Sequence, residues 1–200
     1  MLAYIEFADR VSAWFGKSFG WLIMFMAIGT GYEVLVRYGF NAPTTWAFDM
    51  SYIAYGTLFM MSGAYTLSRG GHVRGDFIYR LWKPKTQAKV ELVLYLIFFF
   101  PGVLALILAG WKYAERSWRY LEVSVNSPVS IPIFQFKTVI VAAGILLLIQ
   151  GVAQVFRAIH CMKTGGWLLA AEDVEETEVQ LLREQEEAAA EAAKGAQQGS

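Results

Sequence analysis

A single cysteine, Cys161, in 200 residues excludes a disulfide scaffold and any paired-cysteine metal or redox site. Two histidines, His72 and His160, leave little for metal or haem ligation. Charge is scarce: 17% of residues are Asp, Glu, Lys or Arg, where about 25% is usual in a soluble domain. Seventeen basic and 17 acidic residues cancel, so bulk charge does not mark the chain as a nucleic-acid binder. No GxSxG, HExxH, Walker loop or GxGxxG is present. The glycine-rich stretch Gly70–Asp76 has neither phosphate-loop spacing nor a Lys-Ser/Thr ending. The chain therefore does not read as an enzyme. With Glu6 and Asp9 near its start and no basic n-region, it is not expected to carry a secretory leader.

What the chain does have is apolar surface. Hydrophobic residues reach 56% and aromatics 16%, and the mean hydropathy is +0.39. These residues cluster into four runs long enough to cross a bilayer. A spanning helix needs about 20 mostly apolar residues, because no backbone polar group can go unpaired in lipid. The runs are about 17–36, 46–67, 90–111 and 133–156. Pro101 lies inside the third, where a kink is expected rather than an end. The fold class is thus an all-α membrane protein with four transmembrane helices.

Lys and Arg placement orients them. Ser68–Lys89 carries Arg69, Arg74, Arg80, Lys83, Lys85 and Lys89, while Arg10 and Lys17 precede the first run and Arg157 and Lys163 follow the last. The opposite side has Arg37, Lys112, Arg116 and Arg119. Both termini should face the cytoplasm in a multi-pass membrane protein. Trp21, Trp46 and Trp111 fall at span ends, as an aromatic belt requires. Residues 1–17 show near-helical apolar spacing with Glu6, Asp9 and Arg10 interspersed, which predicts an amphipathic helix on the inner surface; the alternative is that they lengthen the first span. Residues 17–160 then form the four-helix membrane domain. Residues 161–200 form a cytoplasmic tail. From Ala171 onward it holds nine acidic and two basic residues, which predicts a solvated, partly disordered end.

Charges inside spans are rare and invite functional hypotheses. Four fall here: Glu33, Asp49, Glu91 and Lys137. Glu91, at the cytoplasmic end of its span, can snorkel and is given no role. Glu33, Asp49 and Lys137 all fall near the outer ends, with Trp46 beside them. Arg37 lies four residues after Glu33, in pairing register on one helix face. Such a rim is either a path for ions or a structural or subunit-interface feature. The structural reading is the stronger, because an ion path needs polar groups through the midplane, and the stretches MFMAIG, FFFPGVLAL and AGILLLIQG are almost wholly apolar. Gly29, Gly31, Gly56, Gly63 and Gly144 fit close helix approach.

The run Glu33–Trp46 (EVLVRYGFNAPTTW), then Asp49, then Gly71-His72-Val73-Arg74-Gly75-Asp76 resembles the small membrane subunit of tripartite ATP-independent periplasmic (TRAP) transporters. Pro128 and Pro132 before the last span fit the same pattern, and the resemblance covers about Ala3 to His160. Asp49 stands where Glu is common in that family, and Gly75 where a bulkier residue is usual. The wording of the Phe40–Thr44 and Gly71–Arg74 stretches is closest to the branch named for mannitol and chloroaromatic uptake. The resemblance implies four helices with both termini inside, and a loop motif at His72, Arg74 and Asp76. It implies two protein partners, a large membrane subunit and a periplasmic substrate-binding protein, besides the lipid bilayer. It implies sodium-driven symport of an organic acid, with sodium held by the large subunit and no cofactor in this chain. Two other readings compete: a self-sufficient four-helix multidrug-type transporter using Glu33, and a membrane anchor for a redox enzyme. Glu33 sits near a span end rather than at mid-membrane, and the histidine positions count against the anchor.

Overall fold

Among the described residues the chain forms six α-helices: α1 Leu2–Gly20, α2 Leu22–Gly39, α3 Ala47–Ser68, α4 Pro84–Leu94, α5 Phe100–Tyr120 and α6 Phe134–Thr164. A π-helical turn, Tyr95–Phe99, joins α4 to α5. The computed structural model describes residues 1–70, 79, 81–125 and 129–168. The described part falls in one unit, Met1–Leu168. The sequence-predicted loop motif at His72, Arg74 and Asp76, and the tail from residue 169 on, lie outside the described residues. Residues 161–164, placed in the tail by sequence, continue α6.

Among the described residues there is no strand. Three helical stretches are long and apolar enough to cross a membrane: Leu2–Gly39, Pro84–Tyr120 and Phe134–Thr164. The run predicted as the second span forms α3, whose 22 residues suffice in length. It is less apolar than the others because Tyr52, Tyr55, Tyr65, Ser62 and Thr66 interrupt it. Only Trp21, itself in helical conformation, separates α1 from α2.

The bundle is organised around α6, which packs against α1, α3, α4 and α5. Paired contacts fix the directions. Along α5 and α6, Trp118 meets Thr138 and Ile107 meets Gly144, so these helices are antiparallel. Along α3 and α6, Gly56 meets Phe136 and Leu67 meets Gln154, so these are parallel. One end of the bundle therefore gathers the end of α2, the starts of α3 and α6 and the end of α5. The other gathers α1, the end of α3, the start of α4 and the end of α6.

Small residues allow this closeness. A Cβ on Gly144 would lie 2.7 Å from Ile107 Cγ1, and one on Gly56 would lie 2.6 Å from the Phe136 ring. Gly63 has only Leu147 within ordinary contact, at 3.8 Å. Gly29 and Gly31 differ from the sequence expectation, since a Cβ on either would meet nothing within 4 Å. Helix continues through Pro101, and a π turn precedes it. Proline has no N–H to give the helix ladder and crowds the carbonyl four residues back, and a wider turn relieves both.

In α1 the inward stripe is Ile5, Ala8, Ser12 and Gly16, small and partly polar. Glu6, Arg10 and Lys17 share one exposed stripe, and the exposed Phe7 and Trp14 lie beside it. The helix thus presents one face to the bundle, one charged and one aromatic.

Candidate functional site

The end of the bundle that collects α2, α3, α5 and α6 carries the charged residues singled out by sequence. Glu33, in the last turns of α2, accepts from Arg37 Nε at 2.8 Å and from Arg37 Nη2 at 2.5 Å. Its other oxygen accepts from the Thr44 backbone N–H at 3.0 Å and from the Thr44 hydroxyl. One carboxylate therefore ties the α2 C-terminus to the loop that enters α3. Trp46, the residue before α3, stacks on Tyr32 with ring centroids 6.2 Å apart and closes the same corner.

Asp49 sits in the first turn of α3, where backbone N–H groups and the helix dipole favour a negative charge. It is 1% exposed. The Ser124 hydroxyl donates to it at 2.8 Å. Ser124 belongs to the α5–α6 connection, which is held by Ser124 N–H to Ile131 O at 2.8 Å and Ile133 N–H to Glu122 O at 3.0 Å. Asp49 thereby fastens that connection to α3.

Lys137, one turn into α6, is buried and donates to Glu122. Its ammonium also lies 4.0 Å from the Tyr113 ring centroid, within cation–π range. Glu122 is outside the spans, and the Lys137 ammonium against it holds its carboxyl below the usual carboxylate range.

The rim is thus built from separate sets, not one cluster. Sequence spacing put Arg37 in pairing register with Glu33, and among the described residues its ion pair is with Glu33; its side chain is half exposed. Each of these charges is engaged within the chain. Among the described residues no group of three or more His, Cys, Asp or Glu is placed to hold a metal ion.

A second polar set, at the opposite end, was not foreseen. Arg157 on α6 pairs with Asp9 on α1 and donates through Nη1 to the Ser68 carbonyl at 3.4 Å. Gln150 is fully buried; it donates to Asp9 at 2.9 Å and accepts from the Ser12 hydroxyl at 2.8 Å. Gln154 donates to the Leu67 carbonyl at 2.8 Å. Two α6 side chains thus reach carbonyls of the last turn of α3, and two hold α1. The sequence signal was available: Gln150, Gln154 and Arg157 recur at i, i+4 and i+7, one helix face. Glu91, given no role, accepts from the Tyr79 hydroxyl at 2.5 Å.

Residues 26–161 match the family model described as DctQ: Tripartite ATP-independent periplasmic transporters, DctQ component. The matched region runs from α2 to near the end of α6. It includes Gln150, Gln154 and Arg157 but not Asp9 and Ser12. No curated protein matches the chain.

Proposed function

Because the chain belongs to the family of DctQ components of tripartite ATP-independent periplasmic transporters, we propose that it is the small scaffold subunit of a sodium-driven importer of an organic acid. The family is one of transporter components, not enzymes. In this reading the chain crosses the bacterial inner membrane four times, with α3 as the second span and both termini in the cytoplasm. The exposed charged and aromatic stripes of α1 lie at the inner surface, between headgroups and bundle. A large membrane subunit carries the sodium and substrate sites and packs against this chain, and a periplasmic binding protein delivers the substrate. The wording of the Phe40–Thr44 stretch favours the mannitol/chloroaromatic-like branch, and the His72, Arg74 and Asp76 motif lies in the cytoplasmic loop.

The observation that carries the reading, beside the family, is the state of the in-span charges. A proton or ion carrier needs a carboxylate that can exchange its partner. Glu33 is already held by Arg37 and by two groups of Thr44. Asp49 is buried against Ser124. Such carboxylates brace helices, which favours a scaffold over a self-sufficient multidrug-type transporter. The test is reconstitution. The large subunit purified with this chain should take up substrate in proteoliposomes, and either one alone should not. Undiminished uptake without this chain, or transport by this chain alone, would overturn the proposal.

A further inference from the structure

The face of α5 turned away from the bundle changes character along its length. Between Glu91 and Lys112 lie 20 residues without a charge. At 1.5 Å per residue they cover about 30 Å, the thickness of the hydrocarbon core. Glu91 and Lys112 therefore mark its two boundaries. Arg116, one turn further, stands about 6 Å beyond Lys112, within a headgroup layer of roughly 5–8 Å. The neighbours of α5 agree with that depth. Trp118 donates to Thr138 and Lys137 to Glu122, so the last turns of α5 lie beside the first turns of α6. Trp111, next to Lys112, is exposed, as an interfacial aromatic is.

Lys112, Arg116 and Arg119 fall at i, i+4 and i+7, opposite the buried Gly110, Ala114 and Ser117. With Glu115 and Tyr120 they line one shallow concavity. Arg119 is bonded to Glu115 at 3.0 Å. Lys112 and Arg116 have no ion-pair partner among the described residues. Two cations thus stand uncompensated at the depth of lipid phosphates. Orientation does not account for them. Lys and Arg otherwise collect at the opposite end, and three of the four cations that follow spans on this side lie on this one face. Toward the midplane the stripe continues as Leu108 and Leu104, four and eight residues before Lys112, and both are exposed.

We propose that this face of α5 holds an anionic phospholipid, with the phosphodiester on Lys112 and Arg116 and an acyl chain along Leu108 and Leu104. The Arg116 guanidinium presents a planar fork to two phosphate oxygens, and the Lys112 ammonium adds a point charge at the boundary of the core. Two uncompensated cations favour a headgroup of net negative charge, because a zwitterionic one brings a cation of its own to the same level. The apolar strip below the charges selects a lipid over a soluble anion. The proposal needs only the depth and the open face, and does not rest on the transport function.

The test uses the purified full-length chain in detergent, with bound lipid counted by native mass spectrometry as phosphatidylglycerol or phosphatidylcholine is added. Wild type should fill its tightest position with phosphatidylglycerol at a concentration well below that needed for phosphatidylcholine. Lys112→Gln combined with Arg116→Gln should raise the half-saturating phosphatidylglycerol concentration roughly tenfold. The melting temperature without lipid should not move, because both side chains are exposed and Gln is a good helix former. Lys85→Gln combined with Lys89→Gln removes as much exposed charge at the opposite end, and should leave the tightest position within about twofold of wild type. A wild type without preference between the two lipids overturns the proposal. Equal losses in the two double variants do so too, since they reduce the effect to diffuse charge, as does a Lys112/Arg116 variant that binds like wild type. Displacement of the lipid by inorganic phosphate at comparable concentration assigns the cations to a soluble anion instead. Loss of the bound lipid once a large membrane subunit is co-purified assigns the face to that subunit, and both results overturn the proposal.

Discussion

At the scale of single residues, the two arginines that hold carboxylates differ in what surrounds them. Arg157 is buried, and its Nε has no hydrogen-bond partner among the described residues. Its Nη groups serve Asp9 and the Ser68 carbonyl. Replacing it leaves the Asp9 carboxylate in a mostly buried place without its counter-charge, with only Gln150 still donating to it, which typically costs about 3 kcal/mol. Arg37 is half exposed beside Glu33, and Thr44 still serves that carboxylate when the guanidinium is gone. An ion pair of that kind contributes about 1 kcal/mol at most. Thermal unfolding in one detergent should therefore show Arg157→Leu melting well below wild type and Arg37→Ala close to it. Equal shifts would mean that the inner pair is no better buried in solution than the rim. Sequence reasoning singled out Arg37 and used Arg157, which lies just past a span end, only to orient the chain. Whether a charge is desolvated depends on which helix packs over it, and spacing along one chain does not say that α1 covers α6.

At the scale of helices, the apolar runs were readable because lipid forces a run of about 20 residues with all backbone groups satisfied internally. The ends were less so. α4 begins at Pro84 and α6 continues to Thr164, beyond the apolar stretches, since a helix already formed propagates at little cost once nucleated. The periodicity of residues 1–17 predicted an amphipathic helix, and α1 is helical there. Its bundle-facing stripe escaped notice because Ala8, Ser12 and Gly16 are chosen for size and hydrogen bonding rather than apolarity. Glycines were legible as a class but not one by one. Gly144 lies under Ile107, so Gly144→Leu should push α5 from α6 and destabilise the bundle by about 1–3 kcal/mol. Gly31 faces open space on α2, so Gly31→Leu should leave the melting temperature of the isolated subunit unchanged or slightly raised, helped by better helix propensity. The reverse order of the two melting temperatures would contradict the packing described.

For the whole molecule, the division of labour in the function proposed above rests on where oxygen ligands are free. Sodium is held near the membrane midplane by several oxygens gathered from broken helices and unwound backbone. In this chain the helix ladder through the apolar runs is interrupted only at Trp21, between α1 and α2, and at the π turn Tyr95–Phe99. The carboxylates of the spans already have partners: Glu33 has Arg37 and Thr44, Asp49 has Ser124, and Glu91 has Tyr79. The buried Gln150 of α6 is bonded to Ser12 and Asp9. Removing one rim carboxylate should therefore loosen the corner it ties without altering ion coupling. With Glu33→Gln or Asp49→Asn, proteoliposomes should contain less assembled complex or show a lower maximal rate. Normalised to assembled complex, the half-saturating sodium concentration should stay within about twofold of wild type, below a free-energy change of half a kcal/mol. The Hill slope for sodium should be unchanged. A clear shift in half-saturation, or the loss of one sodium equivalent from the slope, would make that carboxylate an ion ligand and this chain part of the coupling machinery.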